Sequence, residues 1–296
     1  MIAPPLKPGG TIGMCSPSSL VDEEYLRTVL EPAVRRQGFI LRPAKNIFAR
    51  THGYLASPEE RGADLNELVA DEQVGLILFG GGEGSNELLP YIDFDAIKSA
   101  PRRISSYSDG TTILNAIWAR TGLETYYGWT PHLFEDLRLY DYRNFQNMLM
   151  RDKAVRHEHN SEWVTLHGGK ASGVLVGGYS RNFALLLGSA YFPIDLNQSY
   201  VLFLEDHASF GNVDYVSAML THIEQHPFID SVTGLLFGHY SKPRSQQLLE
   251  RLERFGQAHN IPVVYCDDFG HGVNHAILPI GHTAELDADA QELIYL

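Results

Sequence analysis

The sequence predicts an α/β protein: an N-terminal doubly wound, mostly parallel sheet domain followed by a smaller C-terminal α/β domain. Three observations carry this reading. The run VGLILF at residues 74–79 has no polar side chain, as expected of a strand buried on both faces of a parallel sheet. Strand-like and helix-like stretches alternate through the first half of the chain, the βαβα rhythm of such a sheet. That rhythm weakens at residues 134–168 and then restarts with new strands, in a chain of 296 residues, long enough for two cores. The expected division is residues 1–135 for the first domain, 136–168 for a linker region and 169–296 for the second domain.

Taken in order, residues 10–15 (GTIGMC) read as a short strand ending in the turn Ser16-Pro17-Ser18-Ser19. Residues 23–37 read as a helix with Leu26, Val29, Leu30 and Val34 on one face, stopped by Gly38. Ser57-Pro58-Glu59-Glu60 supplies a cap, a proline at the first helical position and a glutamate at the third, so a helix starts here and runs to about Val69. Residues 103–107 form a further short strand, and residues 111–120 (TTILNAIWAR) a helix closed by Gly122. In the second half, strands are expected at residues 173–176, 200–204, 233–237 and 262–265. A helix over residues 212–225 presents Val216, Met219, Leu220 and Ile223 on one side, and another covers residues 245–258.

Composition narrows the function. Apolar residues make up 44% of the chain, ordinary for a packed globular protein. No stretch approaches the ~18–20 consecutive apolar residues of a membrane span. Residues 1–10 carry three prolines and one lysine with no apolar core behind them, so no signal peptide is expected and the location expected is cytoplasmic. The formal charge of −13, without basic runs, argues against nucleic acid polymers and anionic membranes as partners. The two cysteines, Cys15 and Cys266, cannot make a disulfide framework; both sit in apolar strands and read as core thiols.

Ser106-Tyr107-Ser108-Asp109-Gly110 lies between a short strand and a helix. A serine on such a turn is pushed out above the sheet edge at a helix N-terminus, where developing negative charge is stabilised. The segment is close to the Gly-x-Ser-x-Gly nucleophile elbow, with Ser106 in place of the first glycine. Taken alone it more readily describes a helix cap at Ser108 with Asp109 in the first turn. Gly80-Gly81-Gly82-Glu83-Gly84 follows the buried strand and lets backbone N–H groups approach a ligand. No Gly-Lys-Ser/Thr follows, so it is not a P-loop, and Glu87 stands where a dinucleotide fingerprint needs its last glycine. An oxyanion hole made of one loop amide and the amide of Asp109 suits it. An ordinary strand–helix turn is the plainer alternative.

Among thirteen histidines, His157 and His159 are spaced for one face of a strand, but no further metal ligands accompany them. His271 and His275 are spaced as a helical zinc pair, yet Gly270-His271-Gly272 reads as a loop. That loop follows a strand and suits a general base. Glu205 and Asp206 end the apolar strand VLFL, where α/β sites form, and a carboxylate there can orient a histidine.

In combination these segments resemble the LD-carboxypeptidases, the muramoyltetrapeptide carboxypeptidase family, which includes the microcin C self-immunity peptidases. The resemblance runs over nearly the whole chain: Ser16-Pro17-Ser18-Ser19, Gly53-Tyr54-Leu55-Ala56-Ser57, the glycine loop, Leu88-Leu89-Pro90-Tyr91-Ile92-Asp93, Tyr107-Ser108-Asp109, Tyr127-Gly128, Gly177-Gly178, Leu204-Glu205-Asp206, Gly270-His271 and Leu278-Pro279-Ile280-Gly281. It implies a serine peptidase with Ser108 as nucleophile, His271 as base and Glu205 as its partner. The implied oxyanion donors are the amides of Asp109 and of Gly81 or Gly82. It also implies a site between two domains, a homodimer, and neither metal nor cofactor. The chain departs from the family at Glu83, in a loop that usually carries arginine, at Ser106, and at Tyr179, where the second-domain motif has asparagine. Ser85-Asn86-x-Leu88-Leu89-Pro90 resembles the microcin-immunity branch, which cleaves aminoacyl or peptidyl nucleotide amides. Glu83, Ser85, Asn86 and Trp129 are therefore the expected substrate-binding residues, Trp129 by stacking; packing near the domain boundary is its other reading. The substrate expected is a small murein-type peptide or a peptidyl nucleotide. A non-catalytic binding homologue and an unrelated α/β-hydrolase are the competing readings; the second lacks a complete Gly-x-Ser-x-Gly here.

Overall fold

The computed structural model describes residues 1–151 and 155–296, and the chain divides into two compact units across the break between those stretches. In the first unit, β1 (Thr11–Met14), β2 (Ile40–Pro43), β3 (Val74–Leu78), β4 (Arg103–Ser106) and β5 (Thr125–Tyr127) lie in the order β5-β4-β3-β1-β2, each pair parallel. The chain winds one way from β1 to β2 and the other way from β3 to β5. The carboxyl ends of β1 and β3 therefore flank the switch point at which open α/β sheets bind ligands. The turn after β1 and the glycine loop after β3 both leave the sheet there.

Local signals explain the helices. Ser57 Oγ accepts from the Glu60 N–H (3.2 Å) and the Glu60 carboxylate accepts from the Ser57 N–H (2.8 Å), the reciprocal cap expected before Pro58–Ala70. The first helical stretch, residues 23–36, contains a π-turn over Leu26–Leu30. The wider turn shifts the apolar face, so Leu26, Leu30 and Val34 are buried while Val29, expected on the same face, is 39% exposed.

Residues 136–168, expected to link the domains, carry a helix at Leu139–Phe145, a π-helical turn at Gln146–Arg151 and strand β6 (Val164–His167); residues 152–154 of that segment lie outside the described residues. The helical part buries Phe145 and Leu149 together with polar Asp141 and Asn144, which is why its apolar period is faint in the sequence.

The second unit has a seven-stranded sheet in the order β13-β12-β7-β8-β9-β10-β6. It is built from β6, β7 (Lys170–Tyr179), β8 (Tyr200–Glu205), β9 (Val232–Phe237), β10 (Val263–Tyr265), β12 (Thr283–Asp287) and β13 (Glu292–Tyr295), and β11 (Leu278–Ile280) precedes β12 in the chain. The run β7-β8-β9-β10 is parallel, with antiparallel strands on both sides. Every residue of β8 is buried, so the strand delivers Glu205 at its end into a water-poor setting.

Candidate active site

In the first unit, Ser108 follows β4 with φ +55°, a left-handed conformation that a non-glycine residue adopts at a cost of about 1–2 kcal/mol. Its surroundings fix it there. The Ser108 N–H donates to Tyr127 Oη (3.0 Å), and its carbonyl accepts from Thr111 Oγ1 (2.7 Å). Tyr107 caps the short 3₁₀ turn Ser108–Gly110, and Gly110 caps the helix Thr111–Thr121. Ser108 is thus the first residue of the 3₁₀ turn and not a helix cap. Ser106, in place of the usual small glycine, is fully buried and donates to the Phe79 carbonyl (2.8 Å), tying the end of β4 to the end of β3.

The glycine loop lies against this elbow. A Cβ at Gly81 would stand 2.7 Å from Ser108 Cβ and 3.0 Å from Ser108 Oγ, so only glycine lets the backbone come this close to the hydroxyl. The loop is anchored at both sides: the Glu83 N–H donates to the Ser18 carbonyl (3.0 Å), and Ser85 donates through its N–H to Asp109 Oδ2 (2.8 Å) and through Oγ to the Asp109 carbonyl (2.7 Å). Ser108, Asp109, Gly81 and Gly82 are in this way brought into one neighbourhood.

In the second unit, His271 Nδ1 is 2.8 Å from Glu205 Oε2, and the His271 N–H donates to the same oxygen (3.3 Å). Glu205 is wholly buried. Gly270 has φ +102°, and a Cβ there would meet Glu205 Oε2 at 2.8 Å, so glycine is what lets the loop wrap the carboxylate. A proton on Nδ1 bonded to the carboxylate leaves Nε2 as the basic nitrogen. Burial opposes charge on His271, but the charge and hydrogen bond of Glu205 outweigh it, so the imidazole pKa lies above its ordinary value. Asp206 points elsewhere: it accepts from Ser180 Oγ and from the His207 N–H (2.8 Å), and burial, with Glu205 adding, pushes its pKa up to about 6.

The expected substrate-binding residues divide. Glu83 and Asn86 are exposed. Ser85 is completely buried and spends its polar groups on Asp109, so it shapes the loop and does not meet a ligand. Trp129 is also completely buried, with its ring 4.6 Å from that of Phe145 and 5.4 Å from that of Phe134; it is a core side chain and offers no face for stacking. His157, considered as a metal ligand, is bonded through Nε2 to Asp268 Oδ2 (3.1 Å). No group of three metal-type ligands occurs among the described residues. Both cysteines are buried thiols whose pKa burial raises.

Three residues beside these groups were not singled out from the sequence as site residues: in the first unit Tyr127, whose Oη accepts from the Ser108 N–H, and in the second unit Tyr179 and His207, whose rings lie 5.3 Å and 6.2 Å from that of His271. Tyr127-Gly128 and Gly178-Tyr179 stand next to recognised glycines, the one cue that marked them.

Comparison with known proteins identifies the family. Residues 12–128 match the model of the LD-carboxypeptidase N-terminal domain, and residues 172–286 that of the LD-carboxypeptidase C-terminal domain. A putative carboxypeptidase of Treponema pallidum (strain Nichols) is 32% identical, over 79% of this chain and 76% of its own. A probable murein peptide carboxypeptidase of Bacillus subtilis (strain 168) is 29% identical, over 95% of this chain and 90% of its own. The structure of the microcin C7 self immunity protein MccF in complex with aspartyl sulfamoyl adenosine superposes with a TM-score of 0.85 at 26% identity, covering 100% of this chain and 98% of that one. No helix among the described residues is long and apolar enough to cross a membrane.

Proposed function

Because this chain belongs to the LD-carboxypeptidase family, we propose that it is a serine-type carboxypeptidase that hydrolyses an amide bond in a small, murein-tetrapeptide-like peptide. The observation that carries the proposal is the left-handed Ser108 beside Gly81, a serine held in a costly conformation where a glycine backbone reaches its hydroxyl. In this reading His271 Nε2 takes the Ser108 proton as Oγ attacks the amide carbonyl. Glu205 holds the imidazole in the required tautomer and balances its charge once protonated. The amides of Asp109 and of Gly81 or Gly82 receive the tetrahedral oxyanion, each donor being worth about 3–4 kcal/mol in such sites. His271 then gives its proton to the leaving nitrogen as the C–N bond breaks, and water, activated by the same imidazole, releases the acid from the acyl-enzyme.

Replacing Ser108 with alanine is expected to lower amide hydrolysis by at least about 10⁴-fold while the protein unfolds at an unchanged or higher temperature. A variant that retains full turnover would overturn the assignment. A wild type that cleaves no amide substrate would instead favour the non-catalytic reading.

A second substrate class has support in the aspartyl sulfamoyl adenosine held by the similar immunity protein. Parallel assays on a murein tetrapeptide and on an aminoacyl sulfamoyl adenosine separate the two: cleavage of the tetrapeptide alone removes the nucleotide reading.

A further inference from the structure

The turn that follows β8 is held by more bonds than a simple connection needs. The Phe210 and Gly211 N–H groups both donate to the His207 carbonyl (2.8 and 3.1 Å), and the Ala208 N–H donates to the Tyr240 carbonyl (3.0 Å). The Ser209 N–H donates to His207 Nδ1 (3.1 Å), and Tyr240 Oη donates to the Gly211 carbonyl (2.9 Å). What this frame displays is Phe210, 65% exposed. A phenylalanine left in water forgoes much of the roughly 1.5–3 kcal/mol its burial would contribute. Single exposed apolar side chains are common and need no explanation, but this one is placed. Its ring stands edge-on to the imidazole of His271, with centroids 5.3 Å apart and planes at 68°, and 5.5 Å from the ring of His207. Tyr179 touches the same imidazole but is buried. Tyr179 and Phe210 stand equally near this imidazole, and the exposed one of the pair is Phe210.

We propose that Phe210 is a specificity residue, an apolar wall against which the side chain of the leaving residue packs, so that peptides ending in an apolar or aromatic residue are preferred. This rests on the hydrolase reading above. If His271 hands its proton to the leaving nitrogen, a side chain that walls its imidazole meets the residue carrying that nitrogen rather than the acyl part. Nothing in the sequence marks it: Phe210 lies between Ser209 and Gly211 in an unpatterned loop, and only the fold sets its ring on the histidine.

The test uses two murein-type tetrapeptides that share their first three residues and end in D-alanine or D-phenylalanine, with the full-length wild type and the variants Phe210→Ala, Phe210→Leu and Ser108→Ala. Filling or emptying an apolar subsite is worth about 10–200-fold in kcat/KM. Phe210→Ala is expected to lower kcat/KM for the phenylalanine-ending peptide about 10-fold or more, mainly through KM, and to leave the alanine-ending peptide within about twofold, with Phe210→Leu in between. An equal loss on both peptides, or no loss on either, overturns the wall. Cleavage that survives Ser108→Ala overturns the serine-nucleophile reading on which the proposal rests, and a wild type that cleaves neither peptide overturns the murein-peptide reading, whereas Ser108-dependent cleavage with unchanged selectivity in Phe210→Ala overturns only the role of Phe210.

Discussion

A methyl group at residue 81 would stand 2.7 Å from Ser108 Cβ, and either the loop or the serine must then move by several tenths of an ångström. Both are positioned for one geometry, so Gly81→Ala is expected to lower kcat about 10²–10³-fold, the size of a lost oxyanion donor, with KM and thermal stability little changed. Steady-state kinetics beside a melting curve would read this out. The His271–Glu205 pair makes a prediction with a sign. Only neutral His271 can act as base, and its pKa is raised, so kcat/KM falls as pH drops through an inflection above the ordinary histidine value of about 6.5. Glu205→Gln removes the charge that raises it. The inflection should then move to lower pH even as the maximal rate falls; a profile that stays in place would dissociate Glu205 from the base. The two candidates were legible in the sequence because Glu205 ends an apolar strand and His271 sits between glycines, but there Asp206 was as good a partner, and it was the family resemblance that paired Glu205 with His271. For Trp129 the packing reading describes its surroundings, and the stacking reading could not be weighed from sequence because a tryptophan after Tyr-Gly carries no local sign of the Phe134 and Phe145 rings that enclose it.

At the level of elements, the Asp267-Asp268 turn at the end of β10 does what no motif announced. Asp268 accepts from His157 Nε2 (3.1 Å), Trp163 Nε1 (2.8 Å) and the Asn160 N–H (3.0 Å). Asn274 in turn donates to the Asp267 carbonyl (2.9 Å) and accepts from Asn160 Nδ2 (2.8 Å). The segment before β6 and the loop carrying His271 are thereby fastened to one strand end. Removing the carboxylate strands two buried ring N–H groups, so Asp268→Ala should destabilise the protein by about 3–5 kcal/mol in chemical denaturation at pH 7. The pKa of Asp268 is lowered: burial opposes its charge, and the His157 bond more than compensates. Its contribution is accordingly complete above the unfolded carboxylate value of about 4 and lost as pH falls through the lower folded value, so variant and wild type should converge only in acid. The strands and caps were readable beforehand because an apolar run such as residues 74–79 and a box such as Ser57–Glu60 are local signals. The role of His157 was not, since its partner Asp268 is more than a hundred positions away in the sequence, in the turn after β10.

For the molecule as a whole, the parallel order of the first sheet followed from the alternation of strands and helices, and the family likeness from many short segments in a fixed order. The faint point was the join, where Phe145 and Leu149 supply a buried face that mixed polar neighbours disguise. A homodimer remains the assembly proposed for this family member, and light scattering at micromolar concentration should return twice the mass of the chain; a single-chain mass at every concentration would refute it.

The left-handed backbone of Ser108 also has a bearing on how the protein ages under mutation. Glycine at this position would shed about 1–2 kcal/mol of conformational penalty and give back about 0.5–1 kcal/mol in chain entropy. The inactive form is thus expected to be as heat-resistant as the active one or slightly more so. If Ser108 is the nucleophile, its reactivity is held against a thermodynamic gradient, so a lineage no longer selected for turnover would lose the serine without losing its fold, and survival of the fold in a relative is no sign that the hydroxyl survives with it.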